Sequence, residues 1–271
     1  MARLVPGATV PGMPITAVVN QKGGVGKTAT VAHVAGAIAA AGGRALVVDL
    51  DPQGHLTDAL KVQEATGPAT LAAALTGEWT GKTPELIVGH STTAAGGALD
   101  VVPTALEMFT VSRTLDQMRA REHRLARILA GVGDYDQVLI DCPPSLDIIT
   151  DNALTAVDGL LVPVQAEDSS LRALRLLLSQ VAAVDADLRE TPLHLHGMVA
   201  SLVRRPLTTL ARTVLEQLDH LEDLPLLGTV PLAVVVTEAW RMGQTIATYA
   251  PDSEHAVVYR ELAAVLLQAS A

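Results

Sequence analysis

The stretch Asn20-Gln-Lys-Gly-Gly-Val-Gly-Lys-Thr28 sits between an apolar run, Ile15–Asn20, and a long Ala-rich segment, Lys27–Ala41. A glycine-rich turn that leaves a strand and opens a helix is a phosphate cradle, because its backbone N–H groups and the helix N-terminus converge on an anion. Gly23, Gly24 and Gly26, with Val25 between them, let the chain wrap closely. Lys27 supplies a point charge for β- and γ-phosphates, the Thr28 hydroxyl suits Mg2+, and Ala29 continues the opening helical turn. The ordinary spacing asks for glycine where this chain has Gln21, and a second lysine, Lys22, opens the loop. Two cations beside one polyphosphate leave two readings: Lys22 serves its own site, or it reaches the phosphates of a facing subunit.

A loop of this kind needs a parallel sheet around it, and the remaining sequence supplies one. Short branched runs at Ala45–Leu50, Leu99–Pro103, Gln137–Asp141, Gly159–Val164, Leu195–Val203 and Leu226–Val230 read as buried strands. Between them, Ser112–Ala130, Ser145–Ala156, Ser169–Val184, Leu207–Leu221 and His255–Gln268 repeat apolar residues at three and four, as amphipathic helices do. The alternation is that of an α/β fold, read as one domain over residues 15–271 after an irregular, Pro- and Gly-rich arm at 1–14. Gly89–Gly97 reads as a surface loop.

Two strand ends are acidic. In Asp49-Leu-Asp51-Pro-Gln-Gly54, alternation sends Asp49 and Asp51 to one side, suited to Mg2+ waters and an attacking water, which Asp51 is placed to orient. Asp141 closes Val138-Leu-Ile-Asp-Cys-Pro-Pro144 as a carboxylate for a metal-bound water at the sheet's carboxyl edge.

The remaining composition narrows the compartment and the partners. A net charge of −10 means that any nucleic-acid contact is a local patch working against the global field. A single cysteine, Cys142, forms no internal disulfide, and no basic, apolar leader opens the chain, so the expected compartment is the cytoplasm. The uncharged run Ala29–Gly43 falls short of the roughly 20 residues that cross a bilayer. His194 and His196 pair on one strand without a third ligand at suitable spacing, which reads as structural.

The segments KGGVGKT at 22–28, DLDPQG at 49–54 and DCPPSL at 141–146 resemble the ParA/MinD family of deviant Walker A ATPases. Pro163–Glu167, Thr237–Gly243 and Tyr259–Ala263 extend the resemblance to the short ParA partition ATPases, from Ile15 onward. That resemblance implies a doubly wound, mainly parallel sheet, ATP and Mg2+ as ligands, and an ATP-driven homodimer. It further implies non-specific DNA binding at the nucleoid and release by a ParB-like activator. It makes Lys22 the lysine acting in trans, Lys27 the P-loop lysine, Thr28 the Mg2+ ligand, Asp51 the hydrolytic aspartate, Asp141 the Walker B acid and Pro231 an adenine neighbour.

The chain also departs from its relatives. Leu207 and Leu232 occupy positions where such proteins carry DNA-binding arginines, leaving Arg204, Arg205, Arg212 and Arg241 as the substitute patch. Solvated arginines without a partner are the plainer reading of the same residues, and a positioning ATPase for a non-DNA cargo, or an orphan regulator, is the rival function. A membrane-bound member would need a basic amphipathic tail, and His255–Ala271 carries one cation, Arg260.

Overall fold

Strands buried on both faces must be apolar throughout, and those of this chain assemble accordingly. The computed structural model describes residues 13–269. Its strands are β1 (Ile15–Val18), β2 (Arg44–Asp49), β3 (Val88–Thr92), β4 (Ala98–Val102), β5 (Gln137–Asp141), β6 (Gly159–Val164), β7 (His194–Val203) and β8 (Leu226–Pro231). They form one sheet in the order β3-β4-β2-β5-β1-β6-β7-β8, and every neighbouring pair except β3–β4 is parallel. Alternate residues feed two cores: Ile15, Ala17, Val138 and Ile140 pack on one side of the sheet, and Val18, Val47, Leu139 and Leu161 on the other.

The register sets the chemistry. Asp141 of β5 lies opposite Val18 of β1 and Asp49 of β2, so the loop that leaves β1 and the acids that end β2 and β5 meet at one carboxyl edge. The helix Lys27–Ala40 then runs back along the sheet. It is apolar nearly all round because it is buried against β2 on one side and the helices Ile246–Tyr249 and Glu254–Gln268 on the other. Gly36 is required there, since a Cβ at that position would lie 2.2 Å from Thr245 Oγ1.

Two expectations are corrected. Val88–Thr92, which overlaps the supposed Gly89–Gly97 loop, is the edge strand β3, antiparallel to β4, with Thr93–Gly97 as the turn between them. Most of its residues are exposed, so it lacks the apolar alternation that marks a strand in sequence. The helix expected over Ser112–Ala130 is two, Met108–Leu115 and Arg124–Leu129, parted by a turn in which Ala120 takes φ 48°. Leu115, Leu125 and Leu129 face the core on both sides of the break, so the helical spacing of apolar residues conceals it.

Of the N-terminal arm, residues 1–12 lie outside the described residues. Pro14 is tied to the sheet, its carbonyl accepting from Val138 N at 2.9 Å. Among the described residues no helix is long and apolar enough to cross a membrane.

Candidate functional site

Gly24 and Gly26 take φ of 70° and 87°, a left-handed conformation that side chains disfavour, and so bend the loop between β1 and its helix. Gly26 also backs onto β7: a Cβ there would stand 3.2 Å from Ser201 Cβ. As the helix N-cap, Gly26 has no side chain to occupy the first amides, which stay free for an anion. Asn20, buried at the end of β1, fixes the loop's other side. Its Nδ2 donates to Pro163 O at 2.7 Å, and its Oδ1 accepts from Lys22 N at 2.9 Å. Gln165 Nε2 donates to Gly24 O at 3.2 Å.

The two lysines face different partners. Lys27 is buried, its Nζ donating to Lys22 O at 3.3 Å. Burial lowers its pKa, while the neighbouring acids, Asp141 before Asp51, act in the opposite direction. Lys22 reaches sideways instead, its Nζ bonded to Glu167 Oε2 and, at 3.1 Å, to Ser169 Oγ.

Three carboxylates lie beneath the loop. Asp49 Oδ2 accepts from Thr57 N at 2.9 Å and Thr57 Oγ1 at 2.6 Å, and its Oδ1 accepts from Asp51 N at 3.2 Å. Burial still pushes its pKa up to about 6, against those bonds. Asp51 is held from its own turn: its Oδ1 accepts from Gln53 N at 2.9 Å, and its carbonyl accepts from Thr104 Oγ1 at 3.2 Å. Asp141 is fully buried with both oxygens lacking a hydrogen-bond partner; the Thr28 hydroxyl favours its ionised form from nearby without completing a bond. Burial, and then the charge of Asp49, raise its pKa well above the usual carboxylate range.

A buried carboxylate with no partner, beside a threonine hydroxyl and a second acid, is what a hydrated divalent cation needs, so these residues fit Mg2+. Cys142 beside it is no nucleophile, being wholly buried with its thiol pushed far up.

The remaining sequence candidates lie on the β7–β8 flank. Pro231 ends β8 as a buried residue, and its carbonyl shares a hydrogen bond of 3.0 Å with His255 Nε2. Arg204, Arg205, Arg212 and Arg241 are all exposed. Arg205 is not free, its Nη1 donating to Glu254 Oε2 at 2.7 Å, whereas Arg204, Arg212 and Arg241 make no ion pair among the described residues. His194 and His196 stack edge-on at 4.7 Å, and His196 Nε2 shares a hydrogen bond of 3.2 Å with Thr16 Oγ1. Burial, then His194, lowers the His196 pKa to about 4. Sequence reasoning passed over Asn20, Thr57, Glu167 and Ser201. Asn20 and Glu167 lie just beyond the ends of β1 and β6, whereas Thr57 sits on the helix His55–Ala59 and Ser201 within β7, where nothing in the sequence marks them.

The AAA domain family matches residues 13–193. The sporulation initiation inhibitor protein Soj of Bacillus subtilis is 36% identical over 251 residues, 92% of this chain and 96% of Soj. The chromosome partitioning protein ParA of Caulobacter vibrioides is 33% identical over 92% of each chain. The chain belongs to the ParA/MinD family of P-loop ATPases. In three dimensions it is similar to cobyrinic acid a,c-diamide synthase of Mycobacterium smegmatis, solved with an ATP analogue and magnesium. The TM-score is 0.78 and the identity 33%, over 94% of this chain and 95% of that one.

Proposed function

We propose that residues 15–271 act as one Mg2+-dependent ATPase domain that pairs on ATP, holds DNA without regard to sequence, and is released by a ParB-like activator. The work done is segregation of a plasmid or chromosome, in the cytoplasm and at the nucleoid. The observation that carries the reading is the buried Lys27 above Asp141, whose two oxygens lack partners, at the mouth of a glycine loop with free amides. Likeness to Soj and ParA over 92% of the chain supports partition as the purpose.

Amides of residues 23–29 surround the phosphates, and Lys27 binds the β- and γ-oxygens. Thr28 and Asp141, with Asp51 beside them, hold Mg2+, which when bound supplies the positive charge that offsets the phosphates. Asp51 orients the attacking water, its carboxylate fixed by Gln53 N. Lys22 crosses to the facing copy, where loss of the γ-phosphate removes a contact that only the pair makes. Pro231 borders the base. Arg204, Arg212 and Arg241, with Arg205 once it leaves Glu254, bind DNA phosphates. The Arg205–Glu254 pair and the net charge of −10 favour the rival, a positioning ATPase for a non-DNA cargo.

Sedimentation with plasmid DNA under ATP, ADP or no nucleotide decides between them. Retention with ATP alone, kept by Asp51→Ala while turnover stops, is expected. An ATP-paired protein that stays off DNA would leave the rival standing.

A further inference from the structure

We propose that Glu167 is a positioning residue acting through Lys22: it keeps the loop lysine on its own subunit until ATP draws it away, and thereby sets the ATP concentration at which two copies pair. This rests on the reading of Lys22 as the lysine that crosses between copies.

The argument starts from strand order. β6 lies beside β1, so the turn leaving β6 runs along the phosphate loop. Three contacts join them. Two are uncharged and involve the loop's frame: Asn20 Nδ2 donates to Pro163 O and Gln165 Nε2 to Gly24 O. They need not break when a phosphate arrives. The third is ionic and concerns only the tip of Lys22, whose ammonium is bonded to Glu167 Oε2 and to Ser169 Oγ.

Lys22 therefore cannot bind a facing phosphate and Glu167 in the same direction at once. Lys27 does not compete for Glu167, because its charge sits among Asp141 and Asp51. Of the two loop lysines, Lys22 is the one that makes an ion pair among the described residues. The exposure of the pair also matters: side chains 25% and 57% exposed make an ion pair weak enough for a polyphosphate to displace, yet present whenever none is there. A buried pair would lock the loop, and a wholly solvated one would hold nothing.

The test measures the ATP midpoint of pairing by light scattering, together with ADP affinity by calorimetry, for the full chain and for Glu167→Gln, Glu167→Asp and Ser169→Ala. Glu167→Gln should lower the midpoint by about two- to fivefold, the range open to an exposed ion pair. Ser169→Ala should lower it less, Glu167→Asp should stay near the parent value, and ADP affinity should not change, since Lys27 and the loop amides hold ADP. A general structural role for Glu167 would move ADP affinity as well. An unchanged or raised midpoint in both Glu167→Gln and Ser169→Ala overturns the proposal while pairing itself stands. A parent protein that never pairs on ATP overturns the reading beneath it too. Should Glu167→Gln fail to fold, Ser169→Ala alone decides by the same criterion.

Discussion

At the carboxyl ends of β1 and β2, the polar groups beside the glycine loop are buried and set by their neighbours: Asn20 by Pro163, Asp49 by Thr57, Asp51 by Gln53 and Thr104. On the β7–β8 flank, Arg204, Arg212 and Arg241 stand in solvent, and Arg205 has one exposed partner, Glu254. The first region binds by placed geometry in a low-dielectric setting, where a lost group leaves its neighbours unsatisfied. Were the second to hold DNA, it would do so through charge density, where one guanidinium can stand in for another and salt weakens all of them together. A substitution should therefore act steeply at the first and gradually at the second.

Lys27→Ala tests that contrast most severely. It removes the one buried cation among Asp49, Asp51 and Asp141, so affinity for both ATP and ADP should fall at least ~100-fold by calorimetry, in line with a lost charge-assisted contact in a desolvated site. Arg204→Ala should leave nucleotide affinity within about twofold, since rim charges act weakly at a distance. Micromolar binding retained by Lys27→Ala would erase the distinction. Gly26→Ala comes next. Its Cβ meets Ser201, and φ of 87° strains any side chain by about 1–2 kcal/mol. Adding Ser201→Gly should restore only part of the lost nucleotide affinity, because it clears the contact and leaves the backbone strain. Full restoration would mean that packing alone mattered there.

A third test reaches into the helix behind the loop. His33 is wholly buried, its Nδ1 accepting from Ile246 N at 3.1 Å, and burial, then the charge of His255, lowers its pKa to about 3. In the unfolded chain it titrates near 6.5, so its contribution to stability is complete above that pH and is lost as pH falls toward 3. By pH 5 the loss is about 2 kcal/mol. Urea unfolding at pH 7 and pH 5 should show the parent protein losing about that much more than His33→Gln, whose amide oxygen can still accept from Ile246. Equal losses would show that His33 charges inside the fold.

How far these regions could be read in advance follows from what encodes them. Gln137–Asp141 and Gly159–Val164 are central strands, apolar on both faces, and their bounds in the structure match the sequence reading. The edge strand β3 escaped because exposure removes the period that betrays a strand, and the turn at Ala120 because the core positions keep helical spacing across it. The loop and its acids were legible because each occupies a contiguous segment at a strand end. Their partners were not: Lys22 and Glu167 are 145 residues apart, Asp49 finds Thr57 on the next helix, and nothing in one sequence joins Arg205 to Glu254. Segments carry their chemistry openly, whereas contacts exist only once the strand order is known.

The smallest expected effects distinguish the arginines from one another. If Arg204 and Arg212 touch DNA phosphates, the slope of log affinity against log salt should shrink by about one unit for each contact removed by Arg204→Ala or Arg212→Ala, whatever the DNA sequence. Arg205→Ala should change the slope less, because that guanidinium must first give up Glu254, at 2.7 Å, before it can bind anything else. Glu254→Gln sharpens the same point in the opposite direction, since releasing Arg205 should make DNA retention slightly tighter and steepen its salt dependence. An Arg205→Ala loss equal to that of Arg204→Ala, with Glu254→Gln silent, would mean that the ion pair opens without resistance and that the flank behaves as an undifferentiated positive field.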